Sequence, residues 1–148
     1  SYNIIRPTNN YGIRQHYEKL IPLCVRNLKR GAKIFAHNNG EPYRNWLHVD
    51  DTVRGIFTIM EIGGENEVYN IAGGCEQRNI DVIKKIIKSF DKSLDPDDII
   101  SFSEDRLGQD TRYAVNDDKL RALGWSPEAL FDEKLEGIVE SFAETFRW

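Results

Sequence analysis

The sequence predicts an α/β fold, and three observations carry that prediction. Short strand-like runs alternate with helix-like runs along the chain. The helix-like runs repeat their apolar residues at helical spacing. Gly, Asn and Pro punctuate nearly every junction. No internal repeat, low-complexity stretch or linker divides the 148 residues, so residues 1–148 read as one domain.

The elements follow in order. Tyr2 to Arg6 reads as a strand stopped by Pro7, and Thr8 to Gly12 carries loop chemistry. A helix runs from about Glu18 to Arg30, with Leu20, Ile21, Cys24, Val25 and Leu28 on its apolar face and Gly31 at its end. Lys33 to Ala36 is a short strand, and Asn38 to Pro42 a turn. Trp46 to Val49 is extended. Asp50 or Asp51 then caps a helix reaching about Ile62, with Val53, Ile56, Phe57 and Met60 on one side. Glu67 to Ile71 is a strand followed by the Ala72-Gly73-Gly74 loop. Asn79 caps a helix with Val82, Ile83, Ile86, Ile87 and Phe90 inward. An acidic connector, Asp91 to Asp98, leads to a strand at Ile99 to Phe102 and a polar loop from Glu104 to Arg112. Asn116 or Asp117 starts a short helix ended by Gly124. The last helix begins near Phe131, with Leu135, Ile138, Val139, Phe142 and Phe146 as core packing.

Composition narrows the function classes. Hydrophobic residues make up 40% and charged residues 30%, which suits a folded globular chain. The net charge of −4 and pI near 5.4 argue against a nucleic-acid or acidic-membrane surface. No apolar run approaches the roughly 20 residues that span a bilayer. The two cysteines, Cys24 and Cys75, sit in unlike surroundings; a reducing, cytoplasmic compartment is the simpler expectation than a disulfide. His16, His37 and His48 are scattered, and none pairs with another His or Cys at metal-ligand spacing. No Gly-rich phosphate loop follows a strand and opens a helix. What remains is a set of loops rich in amides and arginines: Asn9 and Asn10, Arg44, Asn79, and Asp105 to Asp110. Loops at strand ends of α/β domains converge on ligands, and guanidinium forks with amides suit a polyanionic small molecule such as a nucleoside diphosphate.

Five blocks then carry a family resemblance. Arg6-Pro7-Thr8-Asn9-Asn10-Tyr11-Gly12 with Glu18-Lys19-Leu20-Ile21-Pro22 resembles the segment after the sixth strand of dTDP-glucose 4,6-dehydratases. Arg44-Asn45-Trp46-Leu47-His48-Val49-Asp50-Asp51 is similar to their Arg-Asp-Trp-Leu-x-Val-Glu-Asp stretch. Val68 to Gly74 with Asn79 beyond resembles their Tyr-Asn-Ile-Gly-Gly loop. Asp105 to Tyr113 resembles Asp-Arg-Pro-Gly-His-Asp-x-Arg-Tyr, and Leu123 to Pro127 resembles Leu-Gly-Trp-x-Pro. The blocks cover nearly the whole chain in the family's order.

The resemblance implies a Rossmann-type extended short-chain dehydrogenase/reductase, of which this chain is the carboxy-terminal, nucleotide-sugar-binding part. The NAD-binding half, with the Tyr-x-x-x-Lys pair and the dehydrating acid and base, would lie upstream, and the strand that begins at once is in keeping with a fragment. In the family, hydride leaves the sugar at C4, water is lost across C5 and C6, and hydride returns at C6. It implies no catalytic residue in this chain. Asn9 would hydrogen-bond the substrate and Asn10 would lie nearer the nicotinamide. Lys19 and Leu20 would line the sugar-nucleotide pocket, and Phe35, Ala36 and His37 would border the base. Arg44 would clamp the diphosphate. Asn79 and Asp105, Arg106, Leu107, Gly108 and Gln109 would close over the nucleotide. The parent protein is expected to be a homodimer.

His37 stands in place of the family's Tyr, Ile13 in place of Pro, Asn45 in place of Asp, and Leu107 and Gln109 in place of Pro and His, which leaves the base open. Two other readings stand beside the first: a nucleotide-sugar epimerase or decarboxylase of the same superfamily, and a binding module that kept the fold without the chemistry. Trp46 and Trp125 are expected as core anchors, and His16 and His48 as structural or exposed residues.

Overall fold

The computed structural model describes residues 1–103, 108 and 110–145. Its strands form three small sheets. In the first, β1 (Ile4–Pro7) runs parallel to β5 (Val68–Ile71), with Ile5 opposite Tyr69. In the second, β2 (Asn9–Tyr11) runs parallel to β4 (Tyr43–His48), which also pairs antiparallel with β6 (Cys75–Arg78) and parallel with β8 (Arg112–Tyr113). In the third, β3 (Ile34–His37) runs parallel to β7 (Ile100–Ser103). The helices are α1 (Leu20–Lys29), α2 (Val49–Ile62), α3 (Asn79–Phe90), α4 (Pro96–Ile99), α5 (Asp118–Arg121) and α6 (Phe131–Thr145).

Strand β4 separates two cores because successive side chains on a strand point to opposite faces. Trp46 enters the larger core with Tyr11, Ile21, Cys24, Val25, Ile34, Ala36, Ile83, Ile86, Ile87, Phe131, Leu135 and Phe142. Leu47 enters the smaller one with Ile59, Tyr69, Ile71, Leu120 and Trp125. The apolar stripes expected on α1, α3 and α6 meet in the larger core. Phe146 lies outside the described residues.

Several local expectations need correction. Asn9 to Tyr11 is a strand, not a loop, because β4 offers it a parallel ladder. Neither Asp50 nor Asp51 caps α2. The cap is His48, whose Nδ1 accepts from the Asp50 N–H at 3.3 Å. Arg78, not Asn79, holds the cap position of α3; Asn79 is its first residue and its N–H donates to the Pro42 carbonyl at 3.0 Å. The acidic connector contains α4, capped by Asp95, whose carboxylate accepts from the Asp97 N–H.

On α2 the side that carries Val53, Phe57 and Met60 turns outward, Phe57 at 55% and Met60 at 72% exposure, while Thr52, Gly55 and Ile59 are buried. Gly55 lets the helix approach closely: a Cβ there would lie 3.1 Å from Ile71 and 3.2 Å from Trp125. Asp51 fixes the approach. Its carboxylate, 2% exposed as a residue, accepts from the Glu128 and Ala129 N–H groups at 3.2 and 3.0 Å and from Arg54 at 2.5 Å. The Trp125 indole donates to the Asp51 carbonyl at 3.1 Å. Hydrogen-bond accounting thus decides which face of α2 turns inward, against the side-chain volumes.

Candidate ligand-binding site

The ends of β2, β4, α1 and α3 surround a cavity of about 450 Å³. Register explains the gathering. Asn9 lies opposite Trp46, and Arg44 precedes Trp46 by two, so Asn9, Arg44 and Trp46 share one face of the sheet. Lys19 and Leu20 enter from the start of α1, and Asn79 from the start of α3. Gln15 and His16, in the segment between β2 and α1, complete the lining with Asn10.

Its charge is one-sided. Among the described residues the lining holds Lys19 and Arg44 and no carboxylate. Neither cation takes part in an ion pair among the described residues. Arg44 Nη1 instead donates to the Tyr43 and Asp110 carbonyls, at 2.7 and 3.0 Å, which orient the guanidinium without neutralising it. Neighbouring arginines differ. Arg112 meets Glu76 at 2.5 Å and Arg78 meets Asp81 at 2.8 Å. The hydrogen bond from Arg78 holds the Asp81 carboxyl below the usual carboxylate range, against a partial opposing effect of burial. The start of α1 adds to the positive potential: no side chain caps it, and its first turn holds no acidic residue. Cations, amides and an uncapped helix start facing one cavity, with no carboxylate among the described lining residues, have the chemistry that suits a polyanion.

Asn9 and Asn10 divide their roles by strand alternation. Asn9 shares the Trp46 face. The Asn10 carboxamide donates to the Thr8 carbonyl at 3.0 Å and accepts from the Thr52 hydroxyl, which ties β2 to α2. Beneath them, Asn45 Oδ1 accepts from Thr8 Oγ1 at 3.2 Å and from the Gly73 N–H at 2.9 Å. Gly73 passes so close to β4 that a Cβ would sit 1.7 Å from the Trp46 carbonyl oxygen. The Gly-Gly loop therefore braces the strand that carries Arg44.

Not every expected residue joins the cavity. Phe35, Ala36 and His37 lie on β3 and do not line it. Ala36 is packed into the larger core, Phe35 points outward, and His37 is exposed with Nδ1 2.8 Å from Ser103 Oγ. Gly108 is exposed with φ of +76°, a left-handed backbone suited to glycine. Asp105, Arg106, Leu107 and Gln109 lie outside the described residues. Conversely, Gln15, His16 and Trp46 line the cavity, although no motif in the sequence marks them for it. Alternation along β4 is the signal that points to Trp46, two residues after Arg44. Adjacency to Lys19 is the signal for Gln15 and His16.

Two buried protic groups are held away from chemistry at neutral pH. Burial pushes the Cys24 thiol up to about 12, and burial followed by nearby acidic groups raises the Tyr11 phenol above its ordinary value. Among the described residues no group of three or more His, Cys, Asp or Glu could hold a metal ion, and no helix is long and apolar enough to cross a membrane.

Residues 1–72 match the family model described as Epimerase, the NAD dependent epimerase/dehydratase family. The chain is 36% identical over 147 residues to the dTDP-glucose 4,6-dehydratase of Haemophilus influenzae, covering 93% of this chain and 43% of that protein. It is 38% identical over 139 residues to the low-salt glycan biosynthesis protein Agl12 of Haloferax volcanii, covering 94% of this chain and 44% of that protein. Among solved structures, DesIV of Streptomyces venezuelae, a dTDP-glucose 4,6-dehydratase with NAD and TYD bound, superposes with a TM-score of 0.89 at 36% identity. That superposition covers 97% of this chain and 44% of DesIV. The chain thus spans under half the length of these relatives.

Proposed function

We propose that this chain, similar over residues 1–72 to the NAD dependent epimerase/dehydratase family model and in fold to part of the Rossmann-type extended short-chain dehydrogenases, is the sugar-nucleotide-binding part of a dTDP-glucose 4,6-dehydratase. The reaction of the whole protein is then NAD-dependent loss of water from dTDP-glucose, giving the 4-keto-6-deoxy sugar for deoxysugar biosynthesis. One observation carries the reading: Lys19, Arg44 and the uncapped start of α1 present positive potential to a single cavity, without an opposing carboxylate among the described lining residues. Its volume of about 450 Å³ falls within the usual range for small-molecule sites, roughly 300–1,000 Å³.

The residues of this chain bind and orient. Arg44 and Lys19 hold the diphosphate, and Asn79 adds an amide at the start of α3. Asn9 directs the substrate toward the reacting partner. The residues present do not build a site for NAD by themselves. Both ends of the Asn10 carboxamide are engaged by Thr8 and Thr52, and no described strand-to-helix junction carries a Gly-rich phosphate loop.

The NAD-binding half has a natural docking face on this chain. Parallel strands are normally covered on both faces and rarely stand as a pair. The β1–β5 sheet has only two strands among the described residues, and beside it α2 turns Val53, Phe57 and Met60 outward. A Rossmann half that extends this sheet and covers α2 would bury both.

Calorimetric titration of the chain with dTDP, UDP, GDP and CDP tests the reading. The expected result is saturable binding led by dTDP, with no NAD-dependent dehydration of dTDP-glucose by the chain alone. Failure of all four to bind, or clear turnover by this chain, would contradict it. Preference for UDP would favour an epimerase relative instead.

A further inference from the structure

We propose that His16 is a further, proton-linked cation of the cavity, which contacts the diphosphate of the bound sugar nucleotide when its ring is charged; the assignment rests on the sugar-nucleotide reading above. His16 lines the cavity together with Lys19 and Arg44. Its side chain is 59% exposed, so the ring is open to a ligand that seats there. Two contacts hold it at the rim. The His16 carbonyl accepts from the Lys19 N–H at 3.0 Å, which ties the residue to the start of α1. The ring lies against that of Tyr17, with centroids 4.4 Å apart and planes tilted by 32°. Among the described residues neither ring nitrogen takes part in a hydrogen bond. A Glu18 carboxylate oxygen lies 3.7 Å from Nδ1, beyond hydrogen-bond reach, and that side chain is itself 67% exposed.

The charges around the ring set the sign of the effect. Across the cavity stand Lys19 at the start of α1 and Arg44 on β4, while Asn9 and Asn10 from β2 and Asn79 from α3 are neutral. In its own segment the charged residues are Arg14 and Glu18. The contact with Glu18 is loose and wet, so a ligand displaces it at little cost. A diphosphate seated between Lys19 and Arg44 brings negative charge beside the ring and favours the protonated imidazole. By reciprocity, a proton on the ring favours the ligand. Imidazole changes charge between about pH 5 and 8, a range over which lysine and arginine keep theirs. The protonated ring binds better, so affinity rises as pH falls through that range, and the ring takes up a proton as the ligand seats.

The test measures dTDP-glucose binding between about pH 8 and pH 5.5, on the unaltered chain and on His16→Gln, which stays polar and does not titrate. Both phosphoryl groups of dTDP-glucose are diesters of constant charge over this range, whereas the terminal phosphate of dTDP titrates at about 6 and would blur the result. The unaltered chain is expected to bind about two- to fivefold more tightly at the acid end, the scale of one exposed ion pair, and His16→Gln to lose that gain. The His16 Cε1–H proton resonance, followed through the same range, is expected to titrate at higher pH with dTDP-glucose bound than without it, which a purely structural ring would not do. A gain that survives in His16→Gln, a flat profile in the unaltered chain, or a ring titration indifferent to the ligand would overturn the assignment. Absence of dTDP-glucose binding to the unaltered chain at every pH would instead overturn the sugar-nucleotide reading itself.

Discussion

Replacing Asp51 by Asn tests whether hydrogen bonding sets the orientation of α2. The side chain keeps its shape and loses its charge. Asp51 Oδ1 accepts from Arg54 Nη2 at 2.5 Å and from the Glu128 N–H at 3.2 Å, while Oδ2 accepts from the Ala129 N–H at 3.0 Å. An Asn that keeps the first two contacts turns its NH2 toward the Ala129 N–H, donor against donor. The loss of a charge-assisted bond and the stranding of a buried N–H together cost about 2–4 kcal/mol. Arg54, a third exposed, contributes little as an ion partner, about 0–1 kcal/mol. For a chain of this size that corresponds to a fall in Tm of roughly 5–15 °C.

The same variant carries a pH signature. Burial opposes the Asp51 charge, but hydrogen bonds from Arg54, Ala129 and Glu128, with the Arg54 charge, leave its folded pKa lowered. A lowered folded pKa gives stability that is complete above the unfolded value, about 3.9, and disappears as pH falls through the folded value. The gap between the original chain and Asp51→Asn should therefore be widest near neutral pH and narrow below about pH 3.9. Urea unfolding followed by circular dichroism measures both. A difference below about 0.5 kcal/mol at pH 7, or a gap that widens on acidification, would refute the reasoning.

Gly73→Ala should destabilise by about 3 kcal/mol or more, because its Cβ would meet the Trp46 carbonyl at 1.7 Å; denaturant unfolding checks it, and Ala at exposed Gly137, where a Cβ meets nothing within 4 Å, is the tolerated control. Phe57→Glu should leave folding stability within about 0.5 kcal/mol, as for other surface changes, and reduce self-association in sedimentation, because the ring is outside the core. Arg44→Ala should weaken dTDP binding by roughly 1.5–3 kcal/mol, the scale of a charge-assisted hydrogen bond, without changing Tm by more than a few degrees; calorimetry and thermal melts separate the two.

Periodicity makes the larger core legible in the sequence. Ile83, Ile86 and Ile87 on α3, and Leu135, Ile138 and Phe142 on α6, pack where their spacing places them. On α2 periodicity marks a shared side without saying which way that side turns, because counting apolar volume cannot register that Asp51 satisfies two backbone N–H groups or that Gly55 permits close approach. Strand β2 reads as a loop in the sequence because three residues are too few to show alternation; its partner β4, distant along the chain, makes it a strand. In the cavity, Asn9, Lys19, Leu20, Arg44 and Asn79 gather as the motifs suggest, whereas the β3 residues stand apart from it. Gln15 and Trp46 are placed there only through their neighbours, Gln15 by adjacency to Lys19 and Trp46 by alternation with Arg44 along β4.

Mapping amide and indole resonances of the isotope-labelled chain during a dTDP titration addresses the cavity most directly. Saturable shifts are expected at Asn9, Lys19, Leu20, Arg44 and Asn79, with those at the other four moved together to higher dTDP concentration by Arg44→Ala, and with Ser89 on α3 and Glu140 on α6, which do not line the cavity, unmoved. Shifts confined to surfaces away from β4, or none at millimolar dTDP, would show that these groups do not act as one receptor for a diphosphate.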